Sequence, residues 1–180
     1  MKVICVSDLH GNDVKYRKLC ACIKLNLPDA VFIAGDVLPN YYVDEPDEFI
    51  RDTLYPQFNG LKNELEEKYP RVFLIYGNDD AAASVEFFNL LRSEGLLSLI
   101  NNSVINFNGF TAAGYPYVPP TPFLLKDWEK YDISRYLPHG CVSPEDGLRT
   151  IEVAPNITRY STIKDDLNEL AMQVADFRKT

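Results

Sequence analysis

The chain has 180 residues, and its 26 acidic side chains outnumber its 18 Lys and Arg side chains, for a net charge of −8 at pH 7. The length suits a single domain over residues 1–180, and the composition, 46% hydrophobic and 24% charged, is that of a globular protein. Disorder and coiled coil are therefore excluded. The negative charge argues against broad binding to nucleic acid or anionic membranes, because both are polyanions. No apolar stretch approaches the ~20 residues of a membrane helix.

The four cysteines lie at positions 5, 20, 22 and 141 and form no C-x-x-C pair. This spacing predicts free, buried thiols in a reducing compartment. The apolar N-terminal run is too short for the core of a secretion signal. Both observations predict a cytoplasmic protein.

Three short apolar runs, at residues 2–6, 30–34 and 72–76, predict buried strands. Helical spacing predicts a helix over 13–25, with Asn12 as its N-cap, and an acidic stretch opens a longer helix over 44–68. Alternation of strands and helices is typical of βαβ units with a parallel sheet, so the fold class is α/β.

The pattern changes after the third strand. A helix is predicted over 81–93, followed by a hairpin over 104–113 that turns at Asn108-Gly109, because a type I′ turn needs positive φ at both central residues. A proline-rich irregular segment follows, with at most a short helix near 123–131. The last element is an amphipathic helix over 163–177, capped by Ser161-Thr162.

Each early strand ends in a polar cluster, and ligands bind beyond the carboxyl ends of parallel strands, so the clusters should converge. Carboxylate, imidazole and amide donors together suit Mn²⁺, Fe²⁺ or Zn²⁺. Taken singly, each cluster also has an ordinary structural interpretation as a turn or a helix cap. The three clusters are Asp8-Leu9-His10-Gly11, Gly35-Asp36 and Gly77-Asn78-Asp79-Asp80.

With these motifs the chain resembles the calcineurin-like metallophosphoesterase superfamily, whose signature is D-x-H, G-D and G-N-[HCD] at the ends of the first three strands. The motifs cover residues 1 to about 95, and the rest resembles the family more loosely. The resemblance implies a metallophosphoesterase-like αββα sandwich. It also implies that Asp8 and His10 hold one metal, that Asp36 bridges two metals and that Asn78 holds the second. The metal pair would clamp a phosphate ester and polarise a water for in-line attack.

The sequence departs from this family after the asparagine, where many members have a histidine that is thought to assist the leaving group. Here Asp79 follows, and an ionised carboxylate donates no proton unless its pKa is raised. Asp79 and Asp80 are the catalytic candidates by position. A helix cap or an acceptor behind the metal ligands is the alternative for both.

A second departure concerns histidine, because the chain has only His10 and His139. Family members complete the site with a later histidine and a G-H-x-H motif, which this chain lacks. His139 follows an irregular segment and is interpreted as an exposed loop residue rather than a ligand. The sequence also ends directly after an amphipathic helix, where alternation calls for a strand. The expectation is a C-terminally truncated domain that carries four of the ligands.

Two functions follow from these observations. The first is a divalent-metal-dependent phosphoesterase acting on a phosphate mono- or diester, with up to two metal ions if the site is completed. The alternative is a degenerate, non-catalytic module that acts by binding or oligomerisation, as a homo-oligomer or with a complementing chain, because an incomplete sheet exposes an unpaired edge. A nucleotide-binding function is set aside because the first turn lacks G-x-G-x-x-G.

Overall fold

The computed structural model of the chain describes residues 1–41 and 45–177, with side chains up to residue 174. Its centre is a parallel sheet in the order β1-β2-β3-β4. The three predicted strands are confirmed to within one residue at each end. The strands are β1 (Val3–Val6), β2 (Ala30–Ala34), β3 (Arg71–Ile75) and β4 (Ser98–Leu99). The sequence analysis missed β4, because two residues are too few to show a strand pattern.

The first connection is helix α1 (Asp13–Asn26), as predicted. Asn12 caps it by accepting a hydrogen bond from the backbone N–H of Lys15 at 3.1 Å. Leu27 ends it in the left-handed conformation, with φ 43°. Asn12 therefore lies directly after the first polar cluster, and its capping bond fixes the point where the loop ends and α1 begins.

The second connection is a run of helical turns. Helix α2 (Pro46–Phe49) continues through a π-helical turn (Ile50–Leu54) into α3 (Tyr55–Leu65) and a 3₁₀ turn (Glu66–Lys68). Pro56 accounts for the π turn, because it has no N–H to bond one turn back. The predicted helix over 44–68 is confirmed from residue 46 onwards, and its predicted start at Asp44 lies outside the described residues.

The two faces of the sheet bury different partners. One face packs against the helices, which contact each other as α1 against α3. The other packs against an antiparallel hairpin of β5 (Ser103–Phe107) and β6 (Phe110–Gly114), with Phe73 and Phe107 edge to face at 5.7 Å. Asn108 and Gly109 both have positive φ, which confirms the predicted type I′ turn.

Helix α6 (Ile163–Phe177) contacts both hairpin strands and completes the layers helix, sheet, hairpin and helix. This arrangement confirms the predicted α/β class and the αββα order. Thr162 begins the helix: its hydroxyl donates to Asp165 Oδ2 at 2.7 Å and accepts from the Asp165 N–H at 3.1 Å. The capping prediction is thus confirmed at Thr162.

Three segments outside the sheet differ from, or limit, the sequence-based expectations: the first is a correction, the second lies within the prediction of at most a short helix, and the third was missed. The helix predicted over 81–93 is a 3₁₀ helix (Ala82–Phe88) followed by a short α4 (Asn89–Ser93). No helix forms at 123–131, where the chain is irregular around a fully buried ion pair between Lys126 and Glu129. A short helix α5 (Pro155–Tyr160) was not predicted.

The cysteines are all free, as predicted, but only Cys20 is buried. Cys5 is exposed because β1 lies at one edge of the described sheet, and Cys22 is exposed on the outer side of α1. The prediction of buried thiols is therefore wrong for these two residues. Within the described residues, no helix combines the length and the apolar composition needed to cross a membrane.

Candidate metal centre

The loops that follow β1 and β2 run side by side beyond the sheet. The backbone N–H of Asp8 donates to Gly35 O at 3.2 Å, and that of His10 donates to Asp36 O at 2.8 Å. These bonds extend the strand pairing past the ends of the strands. Backbone hydrogen bonds therefore hold the first two polar clusters together, independently of their side chains.

Three predicted ligands meet at this edge of the sheet. One ligand atom from each of Asp8, His10 and Asp36 lies within 4.8 Å of the other two. His10 Nε2 lies 4.0 Å from Asp8 Oδ1. Donors at ~2.0–2.2 Å from one cation are separated by at most about 4.4 Å, so small side-chain movements would close this group around an ion. Two carboxylates and one imidazole also suit a divalent cation chemically.

The backbone at these ligands is unusual. Asp8, His10 and Asp36 have φ values of 58°, 47° and 50°, in the left-handed region that residues with a Cβ seldom adopt. Such conformations persist only where surrounding contacts hold them, and they cluster at functional sites. All three lie at the strand ends where the ligands are needed.

The loop after β3 contacts the same cluster. A Cβ atom on Gly77 would lie only 2.2 Å from Asp36 Oδ1, so this position admits only glycine in the observed geometry. The backbone N–H of Asp79 donates to the same Asp36 oxygen at 3.0 Å. Asn78 lies between them and is half-buried. Its neighbours thus contact the cluster, while its own role as a ligand stays a prediction.

Asp79 also contacts the predicted ligand His10. Asp79 Oδ2 lies 3.3 Å from His10 Nδ1, on the opposite side of the ring from the nitrogen that faces Asp8. A carboxylate in this position accepts the Nδ1 proton and leaves Nε2 free to bind a metal. The geometry matches the interpretation of Asp79 as an acceptor behind the ligands.

Asp80 has a different environment from its neighbour. It has no exposed surface, and its two oxygens accept backbone N–H groups from Val37 at 2.9 and 3.2 Å, Leu38 at 2.8 Å and Gly77 at 2.8 Å. Burial raises the pKa of Asp80 to about 7, and the amide donors oppose this rise. Through these bonds Asp80 ties the loop after β2 to the loop after β3. Its predicted catalytic role stays a prediction.

The remaining histidine lies elsewhere. His139 is exposed in an irregular segment and is not part of the acidic and histidine cluster, as the sequence indicated. Lys15, by contrast, was missed: its Nζ donates to Asp8 O at 2.6 Å and so supports the first loop. An exposed lysine in the first turns of a helix is too common to stand out in a sequence.

An open cleft borders the cluster. Its volume is about 710 Å³, and His10 forms part of its wall. The opposite wall comes from α2 and the π turn and carries Glu48, Phe49 and Asp52. A phosphate ester bound at the cluster therefore has room for its organic part on this side.

The comparison with protein families decides which proteins this arrangement belongs to. The calcineurin-like phosphoesterase profile matches residues 1–169. The chain belongs to this family. The match extends over the hairpin and the first half of α6, so the family resemblance covers the later part of the chain as well as the three motifs.

The chain was also compared with curated proteins and with solved structures. No curated protein matches the chain. A crystal structure is similar over 63% of this chain and 52% of its own, with 18% identity and a TM-score of 0.40. The chain thus spans about half of the length of that structure.

Proposed function

We propose that this chain is a divalent-metal-dependent phosphoesterase that hydrolyses a phosphate mono- or diester. The observation that carries the proposal is the convergence of Asp8, His10 and Asp36 within 4.8 Å, in a member of the calcineurin-like phosphoesterase family. When bound, a divalent cation supplies Lewis-acid polarisation of a phosphoryl oxygen and an attacking water at neutral pH. Mn²⁺, Fe²⁺ and Zn²⁺ all fit the mixed oxygen and nitrogen donors.

In this proposal the side chains have distinct tasks. Asp8 and His10 would hold one metal, Asp36 would be a ligand shared with a second metal, and Asn78 would hold that second metal. Asp79 is a positioning residue, because its Oδ2 lies 3.3 Å from His10 Nδ1 and its backbone N–H donates to Asp36 Oδ1.

The surroundings are consistent with a compact phosphate ester as substrate. The net charge of −8 disfavours nucleic acid as a partner, and the cleft beside His10 carries acidic side chains. We also place the protein in the cytoplasm, where four free thiols are stable.

The deciding experiment is a calorimetric titration with Mn²⁺ of the wild type, Asp36→Asn and Asp29→Asn. Asp29 is an exposed aspartate just before β2, so it controls for loss of one negative charge at the other end of the same strand. We expect Asp36→Asn to abolish or strongly weaken binding and Asp29→Asn to leave it unchanged. Identical isotherms for the wild type and Asp36→Asn would refute the assignment.

Hydrolysis of p-nitrophenyl phosphate and bis(p-nitrophenyl) phosphate, with and without Mn²⁺, then tests activity. Asp79→Ala probes the positioning role separately. Loss of a hydrogen-bonding partner behind a metal ligand costs about 10–100-fold in metal affinity, so this variant should bind Mn²⁺ more weakly by that factor. Unchanged Mn²⁺ affinity in Asp79→Ala would remove Asp79 from the site.

The alternative is a non-catalytic module that acts by binding or oligomerisation. Its support is that β1 is an edge of the described sheet and leaves Cys5 exposed, so a second chain could pair there. This function predicts Mn²⁺-independent association in analytical ultracentrifugation and no turnover of either ester. Turnover that disappears in Asp36→Asn would exclude it.

A further inference from the structure

A small cavity lies in the irregular segment between the hairpin and α6. Its volume is about 80 Å³, and none of the proposed metal ligands lines it. Its lining combines Trp128 and the apolar Ile151 and Val153 with four charged residues, Asp127, Glu129, Lys130 and Arg149. Trp128 packs flat against Tyr76, with ring centroids 5.3 Å apart and planes within 4°. The cavity wall is thus anchored in the core beside β3.

Two N–H donors at this cavity have no hydrogen-bond partner. They are Nε1 of Trp128, a residue only 8% exposed, and Nε of Arg149, and both atoms are buried. Buried donors without acceptors destabilise a fold, so unpartnered ones are rare and call for an explanation. Two such donors on side chains that line one cavity point to an acceptor that enters it.

The two carboxylates at this cavity, Asp127 and Glu129, have other hydrogen-bond partners than Arg149. Asp127 lies in the wall, but its oxygens accept from the N–H of Ala82 at 2.8 Å and the N–H of Thr150 at 3.0 Å. The guanidinium of Arg149 donates through Nη2 only to the neutral carbonyl of Pro144, at 3.3 Å. Burial lowers the pKa of Arg149 more than the nearby carboxylates raise it. A hydrogen-bond acceptor in the cavity would complete the bonding of this guanidinium.

We propose that the cavity binds a small organic carboxylate, with its two oxygens on Trp128 Nε1 and Arg149 Nε and its alkyl part against Ile151 and Val153. A water molecule takes about 30 Å³ of liquid volume, so the cavity has room for two to three waters or an acid of acetate or propionate size. Phosphate fits less well, because its four oxygens exceed the free donors.

The test uses the fact that Trp128 is the only tryptophan of the chain. Its fluorescence reports on this cavity directly. The wild type is titrated with propionate, propionamide and phosphate at constant ionic strength, in EDTA so that metal-bound phosphate does not contribute. Ligands of about five non-hydrogen atoms reach Kd values of about 1 mM when they fit well, and we expect this for propionate. Propionamide and phosphate should bind at least ~10-fold more weakly.

The matched variants are Arg149→Gln and Arg159→Gln. Arg159 lies over the Tyr160 ring outside the cavity wall, so it controls for the loss of one positive charge. We expect Arg149→Gln to weaken propionate binding about 10-fold and Arg159→Gln to leave it unchanged, because a hydrogen bond to a charged group is worth about that factor. Arg149→Lys keeps the charge and loses the Nε donor, and it should weaken binding as well, even if the glutamine variant unfolds.

Three results would overturn the proposal. They are no saturable fluorescence change with propionate, an equal response to propionamide, and unchanged affinity in a folded Arg149 variant. The first result would mean that water alone fills the cavity.

Discussion

Replacing Asp80 by asparagine tests whether this carboxylate holds the loops of the candidate site together. The two side chains have the same shape, but asparagine presents one oxygen and one NH₂ group where Asp80 presents two acceptors. Oδ1 accepts from Val37 and Leu38, whereas Oδ2 accepts from Gly77 and, at longer range, from Val37. Either orientation of the amide therefore sets a donor against at least one backbone N–H.

The expected cost follows from this geometry. A buried donor left without an acceptor destabilises a fold by ~1–3 kcal/mol. Removal of a buried negative charge offsets part of that, so we expect a loss of about 2 kcal/mol in the free energy of unfolding. For a chain of this length that corresponds to a fall of roughly 4–8 °C in Tm. Thermal melting followed by circular dichroism measures it, with EDTA present so that metal binding makes no difference.

Asp79→Asn is the matched control for Asp80→Asn. It makes the same chemical change one residue earlier, at a side chain that is 42% exposed. Exposed substitutions usually change stability by less than about 0.5 kcal/mol, so its Tm should stay close to that of the wild type. If Asp80→Asn melts together with Asp79→Asn, the loops are held by something other than this carboxylate.

Two further predictions concern the glycine beside Asp36 and the buried ion pair of the irregular segment. Gly77→Ala should destabilise the fold by about 1–3 kcal/mol and weaken Mn²⁺ binding, because its Cβ would overlap Asp36. The control Gly60→Ala should stabilise α3 by ~0.5–1 kcal/mol, since a Cβ there meets no atom within 4 Å. Denaturation curves and Mn²⁺ titrations of both variants test this, and equal curves would contradict the contact between Gly77 and Asp36. Lys126→Met should lower the free energy of unfolding by ~3–5 kcal/mol, because it leaves Glu129 buried without the cation that lies 2.5 Å away in the native pair. Adding Glu129→Gln to this variant should recover part of the lost stability, as measured by urea unfolding. A loss under about 1 kcal/mol in Lys126→Met alone would refute the argument.

The central sheet was predictable because its information is local. β2 is a run of five apolar residues with strand-forming side chains, and the polar cluster that follows it shows where the strand stops. Parallel pairing of three such strands then brings their ends to one edge without any further information. The meeting of Asp8, His10 and Asp36 follows from that topology.

The roles of the neighbouring aspartates could not be predicted in the same way. Asp79 and Asp80 have the same chemistry and adjacent positions, yet one is part-exposed beside His10 and the other is enclosed by backbone amides of the loop after β2. What separates them is a contact across 43 residues of sequence, which no local pattern encodes. The irregular segment escaped prediction for the same reason, since long-range bonds such as Ala82 to Asp127 hold it.

The same contact explains how the site keeps its unusual backbone. Asp36 adopts a left-handed conformation that destabilises an ordinary residue by about 1–3 kcal/mol. The amides of the next two residues, Val37 and Leu38, bind Asp80, and Asp36 itself receives the N–H of Asp79. The loop after β3 therefore stabilises the loop after β2 in the conformation that turns Asp36 towards His10. Asn78, the predicted ligand of a second metal, belongs to the same supporting loop, between Gly77 and Asp79.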